Sequence, residues 1–205
     1  MIKAVLFDLD GVLVDARDWH YEALNTALGV FGFRISRDEH EAVYNGLPTT
    51  QKLEKLSLEK GLPAELHQLI YDLKQIHTKR ALHGKTRPSF DKQLMLKRLK
   101  NAGLKIAVCS NSIRETVEVM LENAMLKEYF DLLLSNQDVK QNKPHPEIYF
   151  TAMEKLGVKP EETVIVEDAP HGVQAAKASG AHVIVVDNAN DVNLYIFKNY
   201  LPHLV

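Results

Sequence analysis

The chain has 205 residues, of which 45% are hydrophobic and 25% are charged, an ordinary globular composition that excludes a disordered or coiled-coil chain. Lysine and arginine number 25 against 27 aspartates and glutamates, so the net charge is −2 and no basic field favours nucleic acid as a partner. The single cysteine excludes an internal disulfide and is compatible with a reducing compartment.

The N-terminus lacks the pattern of a signal peptide, and no stretch reaches the roughly 18 apolar residues of a membrane span. We therefore expect a cytoplasmic protein with no membrane partner, present as a monomer or a weak homo-oligomer.

Five short runs rich in Val, Ile and Leu predict strands: Lys3–Phe7, Leu104–Cys109, Asp131–Leu134, Thr163–Val166 and His182–Val186. Continuous apolar runs of this length favour strands buried on both faces of a parallel sheet. Helical patterns lie between them, at Phe90–Asn101, Arg114–Asn123, Pro146–Leu156 and Gly172–Ala178. This alternation predicts an α/β fold with a doubly wound parallel sheet.

One interval, from about Ala16 to Leu82, contains no strand pattern. Its helical patterns are Trp19–Phe31, Arg37–Tyr44, Thr50–Lys60 and Ala64–Ala81. We predict an α/β catalytic core of residues 1–15 and 86–205, with an inserted helical domain of residues 16–85.

Polar residues follow the predicted strands. The first run ends in Asp8 and Asp10, the second in Ser110 and Asn111, and the fourth in Glu167 and Asp168. Ligands of open α/β sheets bind outside the carboxyl ends of the strands. A single aspartate there would indicate only a helix cap or a turn, but four carboxylates together with a Ser-Asn pair and a lysine favour a functional site.

The charges of this set suggest its chemistry. Clustered carboxylates repel one another unless a cation neutralises them, and hard oxygen ligands select Mg²⁺. A carboxylate can also attack phosphorus to form an aspartyl-phosphate. Because Asp8 and Asp10 are two residues apart, their side chains can lie on the same face at the end of the strand. One can then attack phosphorus as the nucleophile while the other transfers the proton of the leaving group.

The motif Asp8-Leu9-Asp10-Gly11-Val12-Leu13 resembles the first motif of the haloacid dehalogenase (HAD) superfamily. Ser110-Asn111 is similar to its second motif, Lys143-Pro144 with Pro146 to its third, and Glu167-Asp168 to its fourth. The four motifs occur in order and cover essentially the whole chain. The helical insertion resembles the small cap domain of the branch that includes β-phosphoglucomutase and many sugar-phosphate phosphatases.

The resemblance implies a role for each motif residue. Asp8 would be the nucleophile and a metal ligand, and Asp10 the general acid/base, which also binds metal through its backbone carbonyl. Asp168 would be the third Mg²⁺ ligand, with Glu167 binding directly or through water. Ser110 and the Asn111 backbone would hold phosphate oxygens, and Lys143 would neutralise the aspartyl-phosphate. The resemblance also implies a cis Lys143-Pro144 bond.

Three residues of the insertion are weaker candidates for substrate binding. The spacing of His20 resembles that of an acid/base-assisting histidine in the mutase, and a helix-surface histidine is an equal alternative. Gly46 and Thr49 belong to a segment that resembles the cap loop reaching into the active site, and this segment is also a helix–helix turn.

The function we expect is that of a Mg²⁺-dependent phosphatase, which hydrolyses a small phosphorylated metabolite of the sugar-phosphate class through an aspartyl-phosphate. The alternative is a β-phosphoglucomutase-like phosphomutase, which needs a cation on the insertion to hold a second phosphate. No Arg or Lys follows Gly46 until Lys52, which favours hydrolysis, although Lys79 or Arg80 could supply the charge. The presence of Asp10 counts against a haloacid dehalogenase, which does not need this second aspartate. A non-catalytic phospho-receiver or binding module is a remote alternative.

Overall fold

The computed structural model describes residues 1–204, except for the side chains of residues 83–85. In this range the helices are Arg17–Gly29 (α1), Arg37–Glu39 (α2), Thr49–Lys60 (α3), His67–Lys85 (α4), Phe90–Asn101 (α5), Arg114–Asn123 (α6), Glu147–Leu156 (α7) and Pro170–Ala178 (α8). A π-helical turn, His40–Tyr44, follows α2. None of the described helices has the length and apolar character needed to cross a bilayer.

The strands of the described range form one parallel sheet: Ala4–Phe7 (β1), Lys105–Cys109 (β2), Leu132–Leu134 (β3), Thr163–Glu167 (β4) and His182–Val185 (β5). Their spatial order is β3-β2-β1-β4-β5. Phe7 at the end of β1 lies level with Val108 on one side and Val166 on the other. Since the three central strands are parallel and in this register, the residues that follow them emerge at the same edge.

This architecture confirms the predicted α/β fold with its doubly wound parallel sheet, and each strand lies within one residue of its predicted bounds. The expectation that every strand is buried on both faces is wrong for β5, where Val185 keeps 55% of its surface exposed. The reason is position, because β5 is at the edge of the sheet. The other edge strand, β3, is also only partly buried.

Two of the predicted helices differ from the structure. The pattern over Arg37–Tyr44 is divided into α2 and the π-helical turn, and Ala64–Leu66 forms a 3₁₀ turn before α4 begins. A capping box fixes the start of α2, since the Ser36 hydroxyl accepts from the Glu39 N–H and the Glu39 carboxylate accepts from the Ser36 N–H.

The chain forms two compact units, one of Met1–Asp15 and Thr86–Val205 and the other of Ala16–Lys85. The first contains the sheet, and its core includes a cluster of buried side chains from the strands, α7 and α8, among them Leu6, Ala107, Ile148, Tyr149, Ile165 and Ala175. The second is helical, and its core is formed by apolar faces of α1, α3 and α4, including Leu24, Leu28, Leu53, Leu56 and Ile70.

Candidate active site

Three strand ends meet at one edge of the sheet. Asp8 follows β1, Ser110 follows β2, and Glu167 is the last residue of β4. The ladder continues past the strands, because the Asp8 N–H donates to the Val166 carbonyl at 3.0 Å. Residues far apart in the chain are thereby brought together by strand register alone.

The ammonium of Lys143 joins all three of these strand ends. Its Nζ donates to Asp8 Oδ1 at 2.7 Å, to Glu167 Oε1 at 2.5 Å and to the Cys109 carbonyl at 2.8 Å. Only 2% of Lys143 is exposed. An ammonium has three donors, so these three oxygens satisfy it completely and hold it beside Asp8.

The main chain of Lys143 is fixed by the side chain of Asn111. The Lys143 N–H donates to Asn111 Oδ1 at 3.2 Å, and Asn111 Nδ2 donates to the Lys143 carbonyl at 3.3 Å. The Lys143-Pro144 bond is cis. Asn111, expected to act through its backbone, therefore also anchors the loop that carries the lysine.

Asp8, Glu167 and Asp168 each place a carboxylate oxygen within 4.8 Å of the others. If all three carboxylates carry their charge, the one ammonium of Lys143 leaves this cluster with a net charge of −2. A divalent cation would balance that charge, and an all-oxygen donor set is the one Mg²⁺ prefers. Asp8, Glu167 and Asp168 therefore fit the Mg²⁺ ion that the family resemblance implies.

The electrostatics of the pair Asp8–Lys143 reflect this excess of negative charge. Burial raises the pKa of Asp8, Lys143 opposes the shift, and the neighbouring carboxylates of Glu167, Asp168 and Asp10 add to it. Burial alone would lower the pKa of Lys143, but the carboxylates of Asp8 and Glu167 outweigh it and hold that pKa above its usual value. These carboxylates thus favour the charged form of Lys143 at this site.

Asp10 has different partners from the three clustered carboxylates. Its Oδ2 accepts from the Ser112 hydroxyl at 3.0 Å and from the Ser110 hydroxyl at 3.4 Å. The turn that carries Asp10 requires Gly11, whose φ is +89° and where a Cβ would lie 2.1 Å from Asp168 Oδ2. The two aspartates of the first motif therefore have distinct surroundings.

A model of the family described as haloacid dehalogenase-like hydrolase matches residues 5–186. The chain belongs to this family. It is 30% identical over 200 residues to the phosphorylated carbohydrates phosphatase of Thermotoga maritima, and the matched region covers 93% of this chain and 88% of that relative.

Solved structures show the same fold. CbbY from Rhodobacter sphaeroides in complex with phosphate has a TM-score of 0.81 at 28% identity, over 90% of this chain and 86% of CbbY. A further CbbY structure is in complex with xylulose-(1,5)-bisphosphate. β-Phosphoglucomutase from Clostridium difficile has a TM-score of 0.86 at 24% identity, over 100% of this chain and 99% of the mutase, and it shows the fold alone.

These findings confirm the predicted membership of the HAD superfamily and the prediction of an enzyme. The phosphatase names of the relatives support a phosphoric monoester hydrolase.

Three residues of this HAD site were missed by sequence reasoning. Ser112 donates to Asp10, and the Tyr149 hydroxyl donates to Glu167 Oε1 at 2.6 Å. Gly172 packs against the Glu167 carboxylate so closely that a Cβ would lie 2.0 Å from Oε1. The available signal was weak: Tyr149 is the polar member of an apolar helical face, and a buried tyrosine needs a hydrogen-bond partner.

The remaining candidates lie in the helical unit. His20 is half-buried on α1, and its Nδ1 is 3.3 Å from Lys74 Nζ. Gly46 has a φ of +77°, as the predicted turn requires, and Thr49 is the first residue of α3. Their role towards a substrate stays a prediction.

The basic residues of this unit differ in burial. Lys79 and Arg80, the suggested sources of positive charge, are exposed, and their role stays a prediction. Lys52 and Lys74 are each only 8% exposed. Lys74 was not considered from the sequence, because the helical pattern of α4 does not reveal that this position faces α1.

Proposed function

We propose that the chain is a Mg²⁺-dependent phosphatase that hydrolyses a small phosphorylated metabolite, of the sugar-phosphate class, through an aspartyl-phosphate on Asp8. The observation that carries the proposal is the buried Lys143 ammonium between Asp8 and Glu167, inside a cluster of three carboxylates. A carboxylate paired with a fixed cation, beside a place suited to a divalent cation, is an arrangement for phosphoryl transfer.

In this proposal Asp8 and Asp168 bind Mg²⁺ through their carboxylates and Asp10 through its backbone carbonyl, with Glu167 binding directly or through water. When bound, the metal offsets the negative charge that otherwise keeps a phosphate dianion away from an aspartate.

The chain's own residues then perform two transfers. An oxygen of Asp8 attacks phosphorus and the bond from phosphorus to the substrate oxygen breaks, while Asp10 gives its proton to that leaving oxygen. Water next attacks the phosphorus of the aspartyl-phosphate, Asp10 takes the proton from that water, and Asp8 is regenerated as inorganic phosphate leaves. Lys143, Ser110 and Asn111 hold the phosphate oxygens and neutralise their charge during both transfers.

The substrate class rests on the relatives and on the helical unit. One relative bears the name phosphorylated carbohydrates phosphatase, and CbbY is in complex with a sugar bisphosphate. We propose that His20, Gly46 and Thr49 contact the non-reacting part of the substrate. A threonine can hydrogen-bond a sugar hydroxyl but cannot neutralise a second phosphate, which favours a monophosphate and hydrolysis.

A phosphomutase is the second candidate. A mutase would need a cation on the insertion facing the catalytic core, to hold the second phosphate of a bisphosphate intermediate, and Lys52 and Lys74 of the helical unit are candidates for it beside Lys79 and Arg80. The two activities are separated by supplying glucose 1-phosphate with a trace of glucose 1,6-bisphosphate. Free phosphate without isomerisation supports the phosphatase, and rapid formation of glucose 6-phosphate with negligible phosphate release supports the mutase.

The proposed function is tested by a phosphate-release screen over sugar, polyol, nucleotide and glycolytic phosphates, with Mg²⁺ and with a chelator. We expect release from a sugar monophosphate that disappears with the chelator and returns with Mg²⁺. Wild-type protein that releases phosphate from none of these compounds would contradict the proposal.

A further inference from the structure

Tyr149 of α7 is buried beneath the lysine and carboxylates of the phosphate site. Its hydroxyl donates to Glu167 Oε1 at 2.6 Å, and its ring centroid is 5.0 Å from Lys143 Nζ. The neighbours on the same helix face, Ile148 and Ala152, are apolar and fully buried. Packing alone would be satisfied by phenylalanine, so the hydroxyl needs a separate explanation.

That explanation lies in the partners of Glu167. Its Oε1 accepts from both Tyr149 and Lys143, and its Oε2 accepts from the Asp168 N–H at 3.1 Å. The carboxylate is therefore held from two sides. A carboxylate held in this way keeps a fixed position from which to retain the Lys143 ammonium.

This retention matters when the partners of Lys143 change during the reaction. In the free enzyme the ammonium is shared between the carboxylates of Asp8 and Glu167. Once an Asp8 oxygen has bonded to phosphorus, the carboxylate charge of Asp8 is gone and Glu167 is the carboxylate that still pairs with Lys143. The ring of Tyr149 adds a second attraction for the Lys143 ammonium, a cation–π contact.

We propose that Tyr149 is a positioning residue of the phosphate site. Its hydroxyl fixes Glu167, and the fixed Glu167 and the Tyr149 ring together hold Lys143 beside Asp8 while the phosphoryl group is bound to Asp8. This inference rests on the proposed function of Lys143, and it adds a residue outside the four motifs.

The test compares Tyr149→Phe with Tyr44→Phe. Tyr44 is an equally buried tyrosine whose hydroxyl donates to a glutamate, Glu59 Oε2 at 2.8 Å, within the helical unit. Steady-state kinetics use the substrate that the phosphate-release screen identifies. We expect Tyr149→Phe to lower kcat about tenfold with KM changed less than about twofold, and Tyr44→Phe to change neither by more than about twofold.

Repeating the substitution in a Lys143→Ala background separates positioning from a general structural effect. If Tyr149 acts through Lys143, the tenfold loss disappears there, whereas a purely structural defect persists and the two losses multiply. As a control, a cooperative thermal unfolding transition is required of each variant, to establish that the variant is folded.

The outcomes distinguish this inference from the proposed function. An active wild type with an unchanged Tyr149→Phe kcat, or with multiplying losses in the Lys143→Ala background, overturns the positioning role alone. A wild type that releases no phosphate from any compound of the screen overturns the proposed function and this inference with it.

Discussion

Gly172→Ala is the smallest change that should disturb the carboxylate cluster, since it adds one methyl group behind Glu167. An ideal Cβ at position 172 lies 2.0 Å from Glu167 Oε1 and 2.2 Å from Cδ. Non-bonded atoms keep roughly 3 Å or more between them, so the carboxylate must move by about 1 Å. That movement lengthens the hydrogen bonds that Oε1 accepts from Lys143 and Tyr149.

The expected cost follows from two opposing effects. Breaking a buried, hydrogen-bonded ion pair costs about 3–5 kcal/mol. Replacing glycine by alanine in a helix stabilises it by at most about 1 kcal/mol. The net loss in the free energy of unfolding is about 2–5 kcal/mol, which lowers Tm by roughly 4–20 °C in a chain of this size.

Differential scanning calorimetry measures this loss, with Gly29→Ala as the matched control. Gly29 is the last residue of α1 and has no other heavy atom within 4 Å of a built Cβ. The control should be as stable as wild type or slightly more stable, because only the helix-propensity gain applies. If Gly172→Ala behaves like Gly29→Ala, the close contact with Glu167 does not determine the geometry of the cluster.

Two further predictions concern charged and titratable side chains. Lys143→Ala should lower kcat/KM by about a hundredfold or more. Lys143→Arg should recover only part of this kcat/KM, because the planar guanidinium does not fit the compact ammonium site. Full activity of Lys143→Ala in steady-state assays would contradict the role assigned to Lys143. His40 is 1% exposed and packs against the Tyr21 ring, and burial, with Lys52 nearby, lowers its pKa to about 3. The unfolded chain takes up its proton near pH 6.5, so stability is full above that pH and falls by about 1.4 kcal/mol per unit as the pH drops towards 3. Urea unfolding at several pH values should show a slope that is steeper by this amount in wild type than in His40→Phe, because the acidic groups contribute to both, and equal slopes would refute it.

The fold could be predicted because its signals are local. Each strand of this sheet is a short apolar run, and each run is followed by residues that favour a turn. The sequence predicts Asp8, Ser110 and Glu167 at one edge because parallel strands end together, and this prediction needs no knowledge of side-chain contacts. The exposed edge strand β5 was the exception, since a run of apolar residues does not reveal which strand is at the edge.

The residues that support the cluster could not be predicted, because their partners are distant in the chain. Tyr149 looks like one more residue of an apolar helix face until α7 is packed against the sheet. Gly172 looks like an ordinary helical glycine until Glu167 is placed against it. Lys74 looks like a solvated lysine until α4 lies beside α1. Such roles depend on packing between elements, which hydrophobic periodicity does not specify.

The most direct test of the central claim is mass spectrometry of the peptide containing Asp8 after rapid acid quenching of turnover with Mg²⁺ and the screened sugar phosphate. Asp8 is the residue paired with Lys143 at 2.7 Å and is the proposed acceptor of the phosphoryl group. We predict one added phosphoryl group on Asp8 in wild type and none in Asp8→Asn, whose turnover should fall by several orders of magnitude. Steady phosphate release with no phosphorylated Asp8 peptide, or an Asp8→Asn variant of near-normal turnover, would contradict the covalent mechanism.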